Sequence, residues 1–244
     1  MSPAVITVPA FASGRDSIRH FFGTRRHADS LAIEAGVPIR QNGMKGRGWL
    51  LSVKQVHGTD ALVIDRPLSE VDQFPGGWDA LVTDQLGVTV AVRTADCVPV
   101  LVHDPCRRVV AAIHAGWRGA VAGIVPKTIA LMATRFGSTR SDLRISIGPS
   151  AGPCCYEVDE PVIDGLRAGL PNWQSVVHDY RGNKARLDLK ALIRQQVVEQ
   201  GVITSLISCV NLCTICHDEL FYSYRREGRV NGTMVSGITL ISSQ

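Results

Sequence analysis

Arg93-Thr94-Ala95-Asp96-Cys97-Val98-Pro99-Val100-Leu101-Val102-His103-Asp104-Pro105, followed by Val109-Val110-Ala111-Ala112-Ile113-His114-Ala115-Gly116-Trp117-Arg118-Gly119, is the stretch on which the reading of this chain turns. Two short β-branched runs, Val98 to Val102 and Val109 to Ile113, are separated by an Asp-Pro turn, and a third, Val88 to Val92, precedes them after Gly87. Such runs bounded by glycine and proline are strand signals. Embedded in them are a soft thiol, Cys97, and an imidazole, His114. That pairing suggests either a transition-metal site or a cysteine nucleophile with its base.

Working outward, Phe74-Pro75-Gly76-Gly77 is the strongest loop signal and leads into a short strand candidate, Trp78 to Thr83. Leu143 to Ile147 is a further strand, closed by Gly148-Pro149. One helix shows Ile124, Thr128, Ile129 and Met132 on a single face, with Gly137 as its stop and Pro126 tolerated only in its first turn. The segment from Gly119 to Gly123 then reads as a loop or a separate turn. A second helix is capped by Asp188, carries Leu189, Leu192, Ile193, Gln196 and Val197 at helical spacing, and ends at Gly201. Strands and helices mix without strict alternation. The expectation is an α/β fold, a mixed-sheet sandwich forming a single domain over residues 1–244.

The bulk composition limits what such a domain does. The 244 residues are 45% hydrophobic and 20% charged, with net charge +4, which is ordinary for a globular protein with a full core. No run of five or more Lys and Arg exists, so nucleic acid is not an expected partner. The nearest basic cluster to such a run, Tyr224-Arg225-Arg226, reads either as a solvated turn or as a contact for an anionic substrate. No membrane span is indicated. The first twelve residues lack a basic start and carry two prolines, so no signal peptide is expected and the cytoplasm is the expected compartment. Seven cysteines without a secretory signal point to reduced thiols, four or five of them acting as small buried hydrophobes.

Gln55-Val56-His57-Gly58 supplies a third candidate ligand. His57, Cys97 and His114 lie far apart in sequence, unlike the close pairs of structural zinc sites; three donors from separate elements match an open, catalytic site. Asp96, next to Cys97, is the candidate acid/base or a carboxylate orienting a histidine.

Several motifs extend this pattern. They are Gln55-Val56-His57-Gly58, Asp79-Ala80-Leu81-Val82-Thr83, Thr94-Ala95-Asp96-Cys97-Val98-Pro99, His114-Ala115-Gly116-Trp117-Arg118-Gly119, Ile147-Gly148-Pro149, Cys155-Tyr156-Glu157-Val158 and Tyr222-Ser223-Tyr224-Arg225-Arg226. In this order they resemble the YfiH family, also labelled laccase-domain or polyphenol oxidase, over roughly residues 50–240. The resemblance implies a fold like the catalytic domain of cytotoxic necrotizing factor toxins. It implies zinc held by His57, Cys97 and His114, and purine nucleoside phosphorylase activity with some adenosine deaminase activity on small-molecule nucleosides and phosphate. Catalysis would then fall to Asp96, Cys97 and His114. The segment before His57 is compressed relative to the family, and the Gly-Arg-Met-Ala pattern common near its C-terminus reads Gly232-Thr233-Met234-Val235 here. The phosphate contact therefore passes to Arg25, Arg118, Arg225 or Arg226, with Arg225 or Arg25 facing the pocket and Arg118 tying down its turn. A monomer is the expected state.

Other readings stay open. A cysteine hydrolase would use Cys97 as nucleophile and His114 as base, and the family is also linked to an amidase-type editing of peptidoglycan precursors. Copper is the secondary metal expectation, but a multicopper oxidase needs roughly ten histidines, and the chain has seven with no His-x-His pair. A zinc-stabilised module without activity would need a fourth ligand closing the site. Cys213-Thr214-Ile215-Cys216-His217 spells a haem-attachment pattern, but haem attachment requires export. On that reading Cys216 and His217 are incidental, and the vicinal pair Cys154-Cys155 is buried packing, with Cys155 lining the pocket as the alternative. Gly116-Trp117-Arg118-Gly119 reads either as an anion-binding turn or as a tight turn with a packed indole.

Overall fold

Four of the strands read from the sequence form the middle layer of the molecule, and the fifth, at Val88 to Val92, lies in the sheet packed against it. The computed structural model describes residues 4–11, 18–28, 34–41 and 48–242. With strands numbered in chain order, the middle sheet runs β14 (Ile207–Cys209), β10 (Arg144–Ile147), β8 (Val98–Asp104), β9 (Val109–Ala115), β6 (Ala80–Thr83), β5 (Ala61–Ile64). Its two outer pairs, β10 with β14 and β5 with β6, are parallel and the inner pairs antiparallel. All seven residues of β8 and of β9 are buried. A strand covered on both faces loses the polar alternation of a half-exposed one, which is why these segments read as continuous apolar runs.

The two faces of that sheet meet different partners. Val98, Val100, Val102, Val109, Ala111 and Ile113 point toward helices α3 (Ile124–Phe136) and α5 (Leu189–Glu199), joining Ile129, Met132, Leu192 and Ile193 in one core. Leu81, Leu101, Val110 and Ala112 point the other way and meet Phe22, Leu51, Val90, Val92 and Ile238 of a second sheet. That sheet runs β1 (Val5–Ile6), β2 (Ile18–Gly23), β15 (Met234–Leu240), β7 (Val88–Thr94), β4 (Gly48–Ser52), β3 (Ile39–Gln41), and is also mixed because β4 and β7 are parallel. The layers are therefore sheet, sheet and helices. Each fully buried Leu or Ile contributes about 1.5–3 kcal/mol to holding them.

Both helices obey their sequence signals. Gly123 (φ 82°) and Gly137 (φ 69°) take left-handed conformations at the two ends of α3, where a β-carbon would be strained. Asp188 Oδ1 accepts from Ala191 N at 2.9 Å and caps α5. The separate turn before α3 is a short helix, α2 (Trp117–Val121), which starts just after Gly116.

Some elements have no clear sequence signal. Strand β15 sits between β2 and β7, yet carries Ser236 and Gly237 in its middle. A β-carbon on Gly237 would lie 3.1–3.2 Å from Phe21, Ala91 and Thr89, so close packing of its neighbours puts glycine there. Helix α4 (Glu160–Gly169) and the small antiparallel sheet of β11 (Glu157–Val158), β13 (Lys184–Leu187) and β12 (Val177–Arg181) are likewise added by tertiary packing.

Candidate metal centre

Antiparallel pairing of β8 with β9 sets Pro99 opposite His114 and brings Cys97, the residue before β8, to the same end of the sheet. His57 reaches it from the loop between β4 and β5, in a left-handed conformation (φ 60°). The donor atoms of His57, Cys97 and His114 all lie within 4.8 Å of one another. Cys97 Sγ is 3.8 Å from His57 Nε2, and the two imidazoles meet edge to face at 4.8 Å between centroids. Gly116 makes this convergence feasible. A β-carbon there would stand 2.8 Å from His57 Cδ2 and 3.0 Å from Cys97 Sγ.

The carboxylate that organises the site is Asp79, a role the sequence did not single out. It is fully buried, just before β6. Asp79 Oδ1 accepts from His114 Nδ1 at 2.7 Å and from His57 N at 2.9 Å; Oδ2 accepts from Gly58 N at 2.6 Å and Val56 N at 3.3 Å. His114 N in turn donates to the Asp79 carbonyl at 2.7 Å. With Nδ1–H committed to a carboxylate, His114 presents Nε2 toward Cys97, as metal-binding histidines usually do. The signal that could have found Asp79 is an acid opening an otherwise all-apolar strand, since a buried charge needs donors.

Electrostatics follow from these contacts. Burial pushes the Cys97 thiol up, but hydrogen bonds and charge from His114 and His57 outweigh it and bring it down to about 6. Burial would lower His114, but Asp79 and Cys97 raise it to about 9. Burial also works against ionised Asp79, yet His114 and the backbone donors hold its carboxyl below the usual range. Without metal, the pair at neutral pH is a thiolate beside an imidazolium.

Asp96 occupies a different place. Its backbone is left-handed (φ 91°), and its carbonyl accepts from Ala151 N at 2.9 Å. Its carboxylate accepts from Thr214 Oγ1 at 2.6 Å, Arg225 N at 2.7 Å and Ser223 Oγ at 3.0 Å. It therefore joins the Cys97 loop to the arginine-bearing turn, while the carboxylate bonded to His114 is Asp79.

The four arginines divide into two groups. Arg25 pairs with Glu227 at 2.6 Å and lies 4.3 Å over the Tyr222 ring. Arg226 also pairs with Glu227, at 3.0 Å, and donates to the carbonyls of Thr214, Ile215 and Phe221. Both act as cross-links around one acid. Arg225 and Arg118 are exposed: Arg225 donates to the Glu157 carbonyl at 2.7 Å and stands 5.3 Å over Tyr156, and Arg118 stacks 4.4 Å over Trp117. Burial first, then the Cys97 charge, drives the Tyr156 phenol up to about 12, against the opposing pull of Arg225 and Arg118. Tyr156, Arg118 and Arg225 are thus the polar groups around the Cys97 side of the site.

The cysteines correct one expectation. Cys213 alone of the seven is buried; Cys106, Cys154 and Cys216 are exposed, and Cys97, Cys155 and Cys209 are partly covered. Nor are Cys154, Cys155 and Cys216 buried packing: their thiols converge with that of Cys213 in a second cluster. A mixed β-sandwich with helices on one side, carrying three convergent candidate metal ligands at a sheet end, defines the class of protein.

The chain belongs to the multi-copper polyphenol oxidoreductase laccase family, whose model matches residues 31–241. It is 38% identical to the purine nucleoside phosphorylase YlmD of Geobacillus stearothermophilus over 76% of this chain and 70% of that protein. It is 33% identical to adenosine deaminase RL5 from an unknown prokaryotic organism, over 86% of this chain and 79% of that one. The crystal structure of YfiH from Bacillus licheniformis matches with a TM-score of 0.80 at 26% identity, covering 98% of this chain and 97% of that one.

Proposed function

We propose that this chain is a zinc-dependent purine nucleoside phosphorylase that also deaminates adenosine. The observation that carries the reading is the three-donor set of His57, Cys97 and His114 with His114 held by buried Asp79. The names of its relatives, purine nucleoside phosphorylase and adenosine deaminase, support the substrate class. One thiolate and two imidazoles suit zinc, and three donors leave a tetrahedral ion one position for a reacting group. Bound zinc would supply Lewis-acid polarisation of a reacting oxygen or nitrogen.

The chain's own residues do the rest. Asp79 keeps Nε2 of His114 directed at the site, and Cys97 is a thiolate at neutral pH. Arg225 and Arg118 hold the phosphate dianion, since planar guanidinium groups match its oxygens. Tyr156 retains its proton and offers a donor. In phosphorolysis a phosphate oxygen bonds to the anomeric carbon, the glycosidic C–N bond breaks, and the base departs with the electron pair and gains a proton. Asp96 serves as a positioning residue, the carboxylate that holds the Arg225 turn beside Cys97; its three donors leave one lone pair, on Oδ1, open to a proton. Seven cysteines free of disulfides support a cytoplasmic setting, and no described helix is long and apolar enough to cross a membrane.

The test is purified protein with inosine or adenosine, with and without phosphate, products separated by chromatography. Phosphate-dependent release of base and ribose 1-phosphate, and conversion of adenosine to inosine, are expected. Free ribose at the same rate without phosphate, or no conversion by metal-loaded protein, overturns the reading. The thiolate–imidazolium pair of Cys97 and His114 favours one rival, a cysteine amidase. Amide hydrolysis by metal-free protein, abolished by alkylating Cys97, would establish that rival instead. The donor set also accommodates copper, since two histidines and a cysteine form blue-copper sites; elemental analysis separates the metals.

A further inference from the structure

We propose that Cys154, Cys155, Cys213 and Cys216 form a second, closed zinc site that ties the loop at 150–157 to the turn at 212–217. All four Sγ atoms lie within 4.8 Å of one another. Cys155 Sγ is 3.2 Å and Cys154 Sγ 3.5 Å from Cys216 Sγ. Those spacings are well beyond a disulfide bond of about 2.05 Å. With the 4.8 Å upper limit they bracket the edge of a tetrahedron with zinc–sulfur bonds of about 2.3 Å, which is roughly 3.8 Å. A multi-iron cluster distributes its thiolates over different irons and needs a wider set. One ion with four sulfurs fits the geometry.

The local sequence prepares this site. Cys213-Thr214-Ile215-Cys216 has the spacing of a structural zinc half-site. The backbone N–H of Gly152 donates to Cys213 Sγ at 3.3 Å, a contact that suits a metal-bound thiolate. The turn after Gly152 places the adjacent Cys154 and Cys155 so that both thiols reach Cys216. Four thiols binding one zinc lose four protons and leave a net charge of −2. Two guanidinium groups reach these loops from neighbouring elements: Arg186 of β13 donates to the Cys154 carbonyl, and Arg226, which also pairs with Glu227, donates to those of Thr214 and Ile215.

The site has a structural consequence for the first one. Thr214, between the two knuckle cysteines, donates to Asp96, and Ala151 N donates to the Asp96 carbonyl. Asp96 precedes Cys97, and Glu157, just past the vicinal pair, holds Arg225. The second zinc would thus brace, from behind, the loops that present Cys97 and the phosphate arginine.

The experiment is metal counting on protein purified without chelator, using a cleavable tag that is removed. About two zinc ions per chain are expected, since a closed and an open site each take one. His57→Ala/His114→Ala should keep about one, and adding Cys213→Ser/Cys216→Ser should remove it. If that variant fails to fold, alkylation mapping of the unmutated protein decides: the four cysteines should label with iodoacetamide only after a chelator is added. The proposal is overturned by a single zinc per chain lost with the histidines, by iron in place of zinc, by free labelling without chelator, or by protection that only a reductant relieves with an intact mass two hydrogens lighter. None of these readouts depends on phosphorolysis, so this site and the proposed activity stand or fall separately.

Discussion

The two donor clusters are built on opposite plans. His57, Cys97 and His114 stand at the end of a sheet buried on both faces, so the fold orients them before any ion arrives. Asp79 adds the orienting bond from a residue with no exposed surface. Cys154, Cys155, Cys213 and Cys216 sit on two loops with two of the four exposed, and the loops meet through backbone bonds from Ser150 N to the Leu212 carbonyl and from Thr214 N to the Ser150 carbonyl. In the first cluster a sheet end positions the donors; in the second, the proposed ion would brace two loops that already meet through their backbones. An open site with a rigid frame suits chemistry, and a closed site in irregular chain suits bracing.

The sharpest way to break this contrast is to remove one donor from the open set. His57→Ala, Cys97→Ser or His114→Ala should each strip that site's metal and reduce turnover to background, because three donors tolerate no loss. Melting temperature should fall little by comparison, as the strands around the site keep their packing. A variant that keeps full metal content and activity would remove the residue from the site.

Next is the residue behind the donors. Asp79→Asn preserves shape but removes the charge that fixes His114, and should lower metal affinity or activity by about 10–100-fold. Competition with a colorimetric chelator measures it; an unchanged affinity would mean that pre-orientation by the fold suffices without the acid.

The arginines sharpen the picture further. Arg225→Ala should raise the KM for phosphate by about tenfold with little effect on the KM for nucleoside, from loss of a charge-assisted bond of about 1.5–3 kcal/mol. Arg25→Ala should act mainly on stability, since its guanidinium is engaged by Glu227. Steady-state kinetics with each substrate varied in turn would reveal the opposite ranking if the assignment is reversed.

The smallest effect comes from a histidine that serves as a natural control for His114. His103 lies on β8, opposite Val110, also fully packed. Burial lowers it, against a raising influence from Asp104, to about 4, while His114 one strand away is raised to about 9. Because the native state refuses the His103 proton that the unfolded chain accepts below about 6.5, its stabilising contribution is complete above that pH and is lost as pH falls toward about 4. Urea unfolding should show stability roughly 1 kcal/mol lower at pH 5.5 than at pH 7 from this group. His103→Gln should flatten that part of the profile; an unaltered slope would assign the acid sensitivity elsewhere.

Much of the fold was legible because burial on both faces writes long apolar runs into a sequence. Strands β8 and β9, and helices α3 and α5 with their Gly137 and Asp188 boundaries, could be read directly. Strand β15 could not, because Gly237 is demanded by the side chains of its neighbours rather than by its own segment. The three side chains that converge, His57, Cys97 and His114, were also legible as candidates, since a thiol and imidazoles embedded in apolar or glycine-flanked chain are unusual residues in unusual places.

What the sequence by itself determined is the inventory: the apolar periods, the caps, and the chemical types available at His57, Cys97 and His114. Tertiary structure alone decided which of these groups meet. Asp79 lies 35 positions from His114, and Cys154 lies 62 from Cys216. Neither pairing has a local signature, because contacts between distant segments are set by sheet register and loop closure. The same Cys-Thr-Ile-Cys spacing admits several readings until two further thiols arrive from another loop to complete a tetrahedron.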